Sequence, residues 1–359
     1  MQRLMTRAWV EIDLGALVRN GDLFARTAGV PLLPMVKADA YGLGAVRVAR
    51  ALLAIDPWGF GVATVEEGEE LRHAGIDKPI LVFSPLLVPQ FDAARRARLR
   101  PVLADRVAIE KWADTDDPWH LSIDTGMNRA GIAWREIAAQ HDIIAAHPPE
   151  GACTHFHSSQ LPDGSREEQE RRFAEAVAKL PFQPKLLHAD NSGAVEHRSP
   201  SPYAIARPGI FLYGVGSGHD ATIVPEPVVS VRGRIVEVRV VQEGDTVGYD
   251  AGWRAPRPGR VATVSLGYAD GYRRGLGNRA EVLLKGERVP VVGHVTMDMT
   301  MLDVTDKRCV PGDIVTLIGR DGDAELTVSD VAAFGGFSPY EILTGLRGRL
   351  PRLYVNADR

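Results

Sequence analysis

Short apolar segments rich in β-branched residues recur along the first 227 residues of this 359-residue chain. Longer segments rich in Ala, Arg and Glu separate them, and this alternation is typical of βα units around a parallel sheet. The segments are Leu32 to Lys37, Gly59 to Thr64, Ile80 to Ser84, Arg100 to Ala104, His120 to Asp124, Gly151 to Phe156, Lys185 to Ala189 and Ile205 to Tyr213. They predict an α/β fold with a closed (β/α)8 barrel of the TIM type, and the weaker segments leave the strand count open by one or two.

The pattern changes after Pro227 to alternating strands and Gly/Pro turns. The predicted strands are Val228 to Val241, Val261 to Leu266, Ala280 to Val292, Val295 to Val304 and Asp313 to Gly319. Alternation of this kind predicts an antiparallel β domain. We therefore expect a barrel domain over residues 1–227 and a C-terminal β domain over residues 228–359.

Composition excludes several classes of protein. A net charge of -4 provides no basic field for nucleic acid or an anionic membrane. The segment Met1 to Val10 lacks the apolar core of a secretory signal, and no apolar run reaches the roughly 18 residues of a membrane span, so we expect a cytoplasmic protein. The two cysteines, Cys153 and Cys309, lack metal-ligand spacing, so neither a disulfide framework nor a metal site is expected.

Lys37 ends the first predicted strand, directly after an apolar run. Burial favours the neutral amine, so a side chain whose ordinary pKa is about 10.4 becomes a nucleophile near neutral pH. Such an amine reacts with an aldehyde cofactor such as pyridoxal phosphate. Tyr41 adds a hydroxyl nearby, and Gly42 and Gly44 allow a bulky ligand to approach the backbone. A lysine that simply extends from the strand end into water remains the alternative.

In a barrel of this type, functional residues gather at the carboxyl ends of the strands. Polar or glycine-containing motifs follow four of the predicted strands, and these motifs are Lys37, Thr154-His155, Asn191-Ser192-Gly193 and Arg207-Pro208-Gly209-Ile210. A phosphate is expected in the loops after the seventh and eighth strands, where Ser192, Gly209 and Ile210 lie. Each motif alone is common in turns, so the prediction depends on all four lying at the same end of the barrel.

The chain resembles the fold-type III pyridoxal phosphate enzymes, and alanine racemases in particular, over nearly its whole length. The motifs that carry this resemblance are residues 34–44, Asp124 to Arg129, Thr154 to Phe156, Arg207 to Ile210, Gly267 to Tyr272 and Met297-Asp298. The resemblance implies an isomerase that interconverts L-alanine and D-alanine with pyridoxal 5'-phosphate and supplies D-alanine for peptidoglycan.

The resemblance also implies residue roles around the cofactor. Lys37 holds it, Arg207 bonds its pyridine nitrogen and His155 bonds Arg207. The residues expected around its phosphate are Tyr41, Ser192, Gly209 and Ile210. An always-charged donor at the ring nitrogen keeps that nitrogen unprotonated, which disfavours side reactions such as transamination.

Racemisation needs a second base, because the proton removed from one face of the α-carbon returns on the other. The resemblance assigns this base to Tyr249 of a partner subunit, which implies a homodimer with shared active sites. From spacing alone, Tyr249 is a turn tyrosine at an interface. The resemblance further implies that Arg129 and the Met297 amide bind the substrate carboxylate, with Tyr268 near the entrance.

Two positions depart from the family pattern. Ser122 stands where many alanine racemases have a carbamylated lysine that orients the substrate arginine, so we expect Arg129 to be held by an anion, water or another side chain. Gly348 replaces a phosphate-binding tyrosine found in some members, and Tyr354 does not substitute for it.

Three alternatives to a strict alanine racemase stay open. A racemase of broader specificity, acting on serine and other small amino acids, is the nearest, because family members that lack the carbamylated lysine include such racemases. A decarboxylase of the same fold type is less consistent with Arg207 and the loop around Tyr249. A non-enzymatic pyridoxal phosphate carrier usually lacks the second domain.

Overall fold

The first strand of the chain, β1 (Ala8–Asp13), pairs with strands far along the sequence. The computed structural model describes residues 6–113, 115–218, 220–346 and 348–356. Its other strands are β2 (Phe60–Val62), β3 (Ile80–Val82), β4 (Arg100–Leu103), β5 (His120–Asp124), β6 (Ile132–Ala133), β7 (Gly151–Cys153), β8 (Leu186–His188), β9 (Val229–Val241), β10 (Thr246–Val247), β11 (Trp253–Arg254), β12 (Gly259–Val264), β13 (Glu281–Leu284), β14 (Glu287–Pro290), β15 (Thr300–Asp303), β16 (Ile314–Asp321), β17 (Ala324–Leu326) and β18 (Arg352–Val355).

The helices lie mostly between the early strands. They are α1 (Leu14–Ala28), α2 (Lys37–Gly42), α3 (Ala45–Leu52), α4 (Val65–His73), α5 (Phe91–Arg96), α6 (Arg106–Trp112), α7 (His141–Ala146), α8 (Ser165–Ala178), α9 (Ser192–His197), α10 (Val328–Gly335) and α11 (Pro339–Gly345). Several begin at side chains that accept a hydrogen bond from the first turn, such as Thr64 before α4 and Asp105 before α6. Among the described residues, no helix is both long and apolar enough to cross a membrane.

The chain groups into two compact units. The barrel unit comprises Leu17–Ala40 and Gly44–Glu226, and the β unit comprises residues up to Ala16, Tyr41–Leu43 and the chain from Pro227 onward. The boundary that we predicted between residues 227 and 228 stays a prediction. Residues 1–5, which form half of the segment used to predict the absence of a secretory signal, lie outside the described residues.

Parallel strands in the order β2-β3-β4-β5-β7-β8 form the sheet of the barrel unit, with β6 beside β5. Residues 32–36 close the ring, because the Val36 amide donates to the Gly61 carbonyl at 2.9 Å and the Leu33 amide to the Ala206 carbonyl at 2.8 Å. On the other side, the Arg207 amide donates to the Asp190 carbonyl at 2.8 Å. The predicted α/β barrel is confirmed.

The predicted first and eighth strands are wrong in extent. Leu32 to Lys37 and Ile205 to Tyr213 contribute only isolated bridges, such as those of Leu32 with Ala206 and of Met35 with Gly61. Pro34 and Pro208 interrupt these segments, since proline has no N–H to donate to a strand ladder. The end of the eighth segment turns instead into a short 3-10 helix, Ile210–Tyr213.

Lys37 lies at the start of a left-handed turn rather than on a strand. The φ angles of Ala38, Asp39, Ala40 and Tyr41 in α2 are 53°, 54°, 51° and 56°. Each non-glycine residue in this region costs roughly 1–2 kcal/mol, so the surrounding chain must hold the turn. The Asp39 carboxylate accepts from the Ala45 amide at 2.7 Å, and the Asp39 carbonyl accepts from the Gly44 amide at 2.8 Å.

The sheet of the β unit is mostly antiparallel, as predicted, and centres on the long strand β9. Its main order is β14-β13-β16-β9-β1-β18, and β12 joins the far end of β9 to β15. The prediction of one strand over Ala280 to Val292 is wrong: β13 and β14 form a hairpin. Lys285 and Gly286, with φ angles of 54° and 80°, make its two-residue turn, a geometry that matches the twist of the flanking strands.

Gly271 packs directly against the backbone of another segment of the β unit. A Cβ at this position would lie 2.2 Å from the Gly345 carbonyl oxygen, whereas a Cβ at Gly312 meets nothing within 4 Å. The φ angles are similar, at 107° and 98°. We expect Gly312→Ala to cost about 1–2 kcal/mol from the backbone angle alone, and Gly271→Ala at least ~3 kcal/mol because a carbonyl must also move. Urea denaturation checks this, and equal losses would contradict the steric argument.

Candidate active site

Lys37 is half-buried at the carboxyl end of the barrel. Burial, together with the charges of Arg129 and Arg207, lowers the pKa of Lys37, while Glu67 opposes the shift. All four residues belong to the barrel unit. The surroundings of Lys37 therefore favour the neutral amine more than water does, and its role in holding a cofactor stays a prediction.

Glu67 fixes the turn that begins at Lys37. One carboxylate oxygen accepts from the Ala38 amide at 2.7 Å, and the other accepts from the Ala63 amide at 2.7 Å. Thr64 and Glu67 also form a capping box at the start of α4. The same carboxylate thus ends β2, starts a helix and holds the backbone next to the lysine.

Arg207 is buried, with 4% of its surface exposed, and satisfies its guanidinium with carbonyl oxygens. Its NH1 donates to the His188 carbonyl at 2.5 Å and to His188 Nδ1 at 2.9 Å. Its NH2 donates to the Thr154 and Ala189 carbonyls at 2.7 and 3.0 Å. These acceptors are uncharged, so the buried cation keeps a strong positive field at this end of the barrel.

His155 lies beside that field. Its Nδ1 is 3.5 Å from Arg207 NH2, which is at the limit of a hydrogen bond. Burial and the positive charges of Arg207, Arg129 and Lys37 lower the pKa of His155 to about 3. The imidazole is therefore neutral at physiological pH and can accept a hydrogen bond from the guanidinium.

The structure brings Ser192 and Gly209 into contact, and Ile210 follows Gly209 in the chain. The Ser192 hydroxyl oxygen accepts from the Gly209 amide at 2.9 Å, and Asn191 caps α9 by accepting from the Ala194 amide at 3.1 Å. Ile210 begins the 3-10 helix that follows. The segment after β8 and the segment after Arg207 thus converge on one hydroxyl.

Arg129 is exposed in a loop after β5. The Asp124 carboxylate shapes this loop by accepting from the amides of Gly126 and Asn128, at 2.9 and 3.1 Å. Among the described residues, no carboxylate forms an ion pair with Arg129. The Ser122 hydroxyl oxygen packs against Gly131, where an added Cβ would lie 3.0 Å from it. The expectation that an anion, water or another side chain holds Arg129 stays a prediction.

The remaining candidates belong to the β unit. Tyr41 is buried with its ring 5.8 Å from that of Tyr340, and burial raises the pKa of Tyr41. Tyr249, Tyr268 and Met297 are exposed, by 70%, 41% and 53%.

Tyr249 is presented at the tip of the β10–β11 ribbon. Gly248 and Asp250 flank it with φ angles of 78° and 58°, and the Gly252 amide donates to the Tyr249 carbonyl at 3.1 Å. Arg274 approaches Asp250 at 3.9 Å and His294 approaches it at 3.7 Å. The tight backbone turn thus carries an exposed tyrosine.

Comparison with known proteins decides the family. Models of the alanine racemase N-terminal domain and C-terminal domain match residues 12–217 and 228–354. The chain belongs to the alanine racemase family. An alanine racemase of a Nostoc species is 36% identical over 370 residues, covering 97% of this chain and 96% of the relative. The family assignment confirms the resemblance seen in the sequence and the predicted class of enzyme, an isomerase.

Solved alanine racemase structures share the fold. The enzyme of Bartonella henselae with covalently bound pyridoxal phosphate has a TM-score of 0.90 at 30% identity, covering 98% of this chain and 100% of that chain. The enzyme of Bacillus anthracis with bound L-Ala-P has a TM-score of 0.91 at 30% identity, covering 98% and 96%. In the part of the chain that the structure describes, no group of His, Cys, Asp or Glu side chains is arranged to hold a metal ion.

Sequence reasoning missed residues that support the candidate site. Glu67 is one of them, and its signal in the sequence is the Thr64-x-x-Glu67 spacing, which marks a helix start next to the second predicted strand. His188 and His120 lie within predicted strands, and a polar residue on a barrel strand was the available signal. Nothing in the sequence pairs either histidine with Arg207, since that contact forms across strands.

The lowered pKa of Lys37 predicts a pH-dependent effect of Lys37→Met on protein purified without a bound small molecule. Below the pKa that Lys37 has in the folded protein, burial of the charged amine lowers the free energy of unfolding. This loss of stability vanishes above the ordinary pKa of 10.5, where the amine is neutral in both states. We expect the substitution to stabilise the protein at pH 7 by more than the ~0.5 kcal/mol of surface changes, with a gain that shrinks toward pH 10.5.

Urea denaturation at both pH values provides the measurement. The control is Lys111→Met, because Lys111 is exposed on α6. A gain at Lys37 that does not change with pH would contradict the electrostatic cause.

Proposed function

We propose that this chain is a homodimeric, pyridoxal 5'-phosphate-dependent enzyme that interconverts L-alanine and D-alanine and supplies D-alanine for peptidoglycan. The observation that carries the proposal is the convergence of a half-buried lysine of lowered pKa and a buried arginine at one end of the barrel, in a chain of the alanine racemase family.

The residues of the barrel unit fit such a cofactor chemically. The positive charges of Lys37, Arg129 and Arg207 reinforce each other there, so an anionic phosphate would relieve their repulsion. A neutral lysine amine suits an aldehyde, and Arg207 suits the acceptor nitrogen of a pyridine ring. Ser192 and Gly209, together with Ile210 and Tyr41, are the proposed phosphate neighbours.

When bound, pyridoxal phosphate supplies the aldehyde for the Lys37 amine and a conjugated ring that withdraws electron density from the substrate α-carbon. Once the substrate amine has taken the place of the Lys37 amine on the aldehyde, the freed Lys37 would exchange the proton on one face of that carbon. Arg207 keeps its own proton at every accessible pH, so it donates to the ring nitrogen without protonating it. His155 accepts from Arg207 and limits the directions that the guanidinium can take.

Tyr249 exchanges the proton on the opposite face, and we propose that it acts from the partner subunit. Its phenol is 70% exposed in the single chain and is held on a constrained ribbon, which suits a group presented to another copy. We propose that Arg129 and the Met297 amide bind the substrate carboxylate, with Tyr268 at the entrance.

A broader racemase is the second candidate, and Ser122 favours it. Serine cannot provide the negative charge with which a carbamylated lysine would orient Arg129. Turnover of alanine, serine and lysine by the same preparation separates the two. We expect alanine to be fastest, and equal rates on all three would remove alanine as the defining substrate.

Proton exchange tests the activity directly. With L-alanine in heavy water, the holoenzyme should form D-alanine that carries deuterium on the α-carbon, and Lys37→Ala should abolish both exchange and racemisation. Absence of exchange in protein loaded with pyridoxal phosphate would overturn the proposed function.

Subunit mixing tests the sharing of active sites. Lys37→Ala and Tyr249→Phe chains should each be inactive alone. In a mixed dimer one site regains both residues, and half of randomly paired dimers are mixed, so about a quarter of wild-type activity should return. The control replaces one partner with the double variant, which should restore nothing. No recovery despite subunit exchange seen by mass spectrometry would show that Tyr249 does not act in trans.

A further inference from the structure

A chain of hydrogen bonds runs through the barrel from Arg207 to Glu150. Arg207 NH1 is 2.9 Å from His188 Nδ1, and His188 Nε2 is 2.8 Å from His120 Nδ1. His120 Nε2 is in turn 3.2 Å from Glu150 Oε2. The mechanism proposed above uses only the Arg207 end of this chain.

The chemistry of the two ends fixes the direction of every bond. Arginine only donates, so His188 Nδ1 must accept and a neutral His188 carries its proton on Nε2. That proton goes to His120 Nδ1, so His120 also carries its proton on Nε2 and donates it to the carboxylate. All donors therefore point from Arg207 toward Glu150.

Burial keeps both imidazoles neutral. His120 and His188 have no exposed surface. Burial lowers the pKa of His120, with Arg100 and Arg207 adding to the shift and Glu150 opposing it. Burial, followed by Arg207 and His120, lowers the pKa of His188.

Glu150 stays ionised at the other end. Burial alone would raise its pKa, but the hydrogen bond from His120 and the charge of Arg100 outweigh burial and lower it. Arg100 NH1 lies 2.9 and 2.7 Å from the two carboxylate oxygens. The carboxylate is thus a fixed acceptor.

The packing leaves room for the imidazoles in this arrangement. A Cβ on Gly151 would lie 2.5 Å from His120 Nδ1, so only glycine fits beside that ring. The ring of Trp58 meets His120 edge-on at 5.9 Å, and that of Phe83 meets His188 at 6.3 Å. Aromatic edges and one glycine therefore restrict both rings.

We propose that Glu150 is a positioning residue that acts through the Nε2–H tautomers of His120 and His188 to hold the Arg207 guanidinium in one orientation. The role in catalysis rests on the proposed function, in which Arg207 faces the ring nitrogen of the cofactor. The alternative is a purely structural ion pair between Glu150 and Arg100.

Tautomers of the wild-type protein can be measured without any activity. Long-range 1H–15N spectra of histidine-labelled protein, with and without cofactor, should show both rings protonated only on Nε2 between pH 6 and 8. His120→Gln and His188→Gln assign the signals. An Nδ1 proton or a charged ring at either position would overturn the proposal, and this result is independent of whether the chain racemises alanine.

The variants Glu150→Gln and Arg100→Gln distinguish positioning through the two histidines from a purely structural ion pair between Glu150 and Arg100. In Glu150→Gln the amide can donate to His120 as well as accept from it, so a second tautomer should become visible. Loss of the negative charge should also move the pH titration of the bound-cofactor absorbance to lower pH. Arg100→Gln removes a positive charge instead, so the titration should move to higher pH with the tautomers unchanged.

Shifts in the same direction for both variants, or unchanged tautomers and titration in Glu150→Gln, would show that Glu150 acts only as the ion-pair partner of Arg100. Circular dichroism establishes that each variant is folded. A chain that binds no pyridoxal phosphate would refute the proposed function. The tautomer measurement on the wild type would still show whether both histidines carry their proton on Nε2, as the proposal for Glu150 requires.

Discussion

The buried guanidinium of Arg207 is the interaction on which the carboxyl end of the barrel depends. It ties the carbonyls of Thr154, His188 and Ala189, which follow or end neighbouring strands, to the segment that closes the ring. A buried carbonyl left without a donor costs about 1–3 kcal/mol, so these bonds stabilise the strand ends. The same cation then sets the electrostatics of the site, because its partners leave its charge largely uncompensated.

A second constraint is the left-handed turn at Lys37. Consecutive non-glycine residues in this conformation are unfavourable, yet the turn directs the chain sharply away from the end of a buried segment. Glu67 and Asp39 hold it through backbone amides on either side. Backbone strain and the lysine of lowered pKa thus occupy the same few residues, and Glu67, which also caps the helix that starts after Thr64, holds the backbone beside them.

Patterning predicted the architecture well where local signals agree. The predicted segment Ile80 to Ser84, for example, is short and mostly apolar, and its residues Ile80–Val82 form a buried strand. Pro34 and Pro208 limited the outermost barrel segments to bridges, which a count of apolar residues does not register. The hairpin at Lys285-Gly286 was missed because Lys-Gly is not one of the Asn-Gly or Asp-Gly pairs that signal a two-residue turn.

The sequence by itself determined the order of βα units, the presence of a second, mostly antiparallel sheet, the family and the motifs at the strand ends. Those features depend on local composition and on residues close together in the chain. Only the tertiary structure decided that Arg207 is connected to Glu150 through two imidazoles, because hydrogen bonds across a barrel join residues from separate strands. It likewise decided the pKa of Lys37, since burial and the fields of distant charges exist only once the chain has folded.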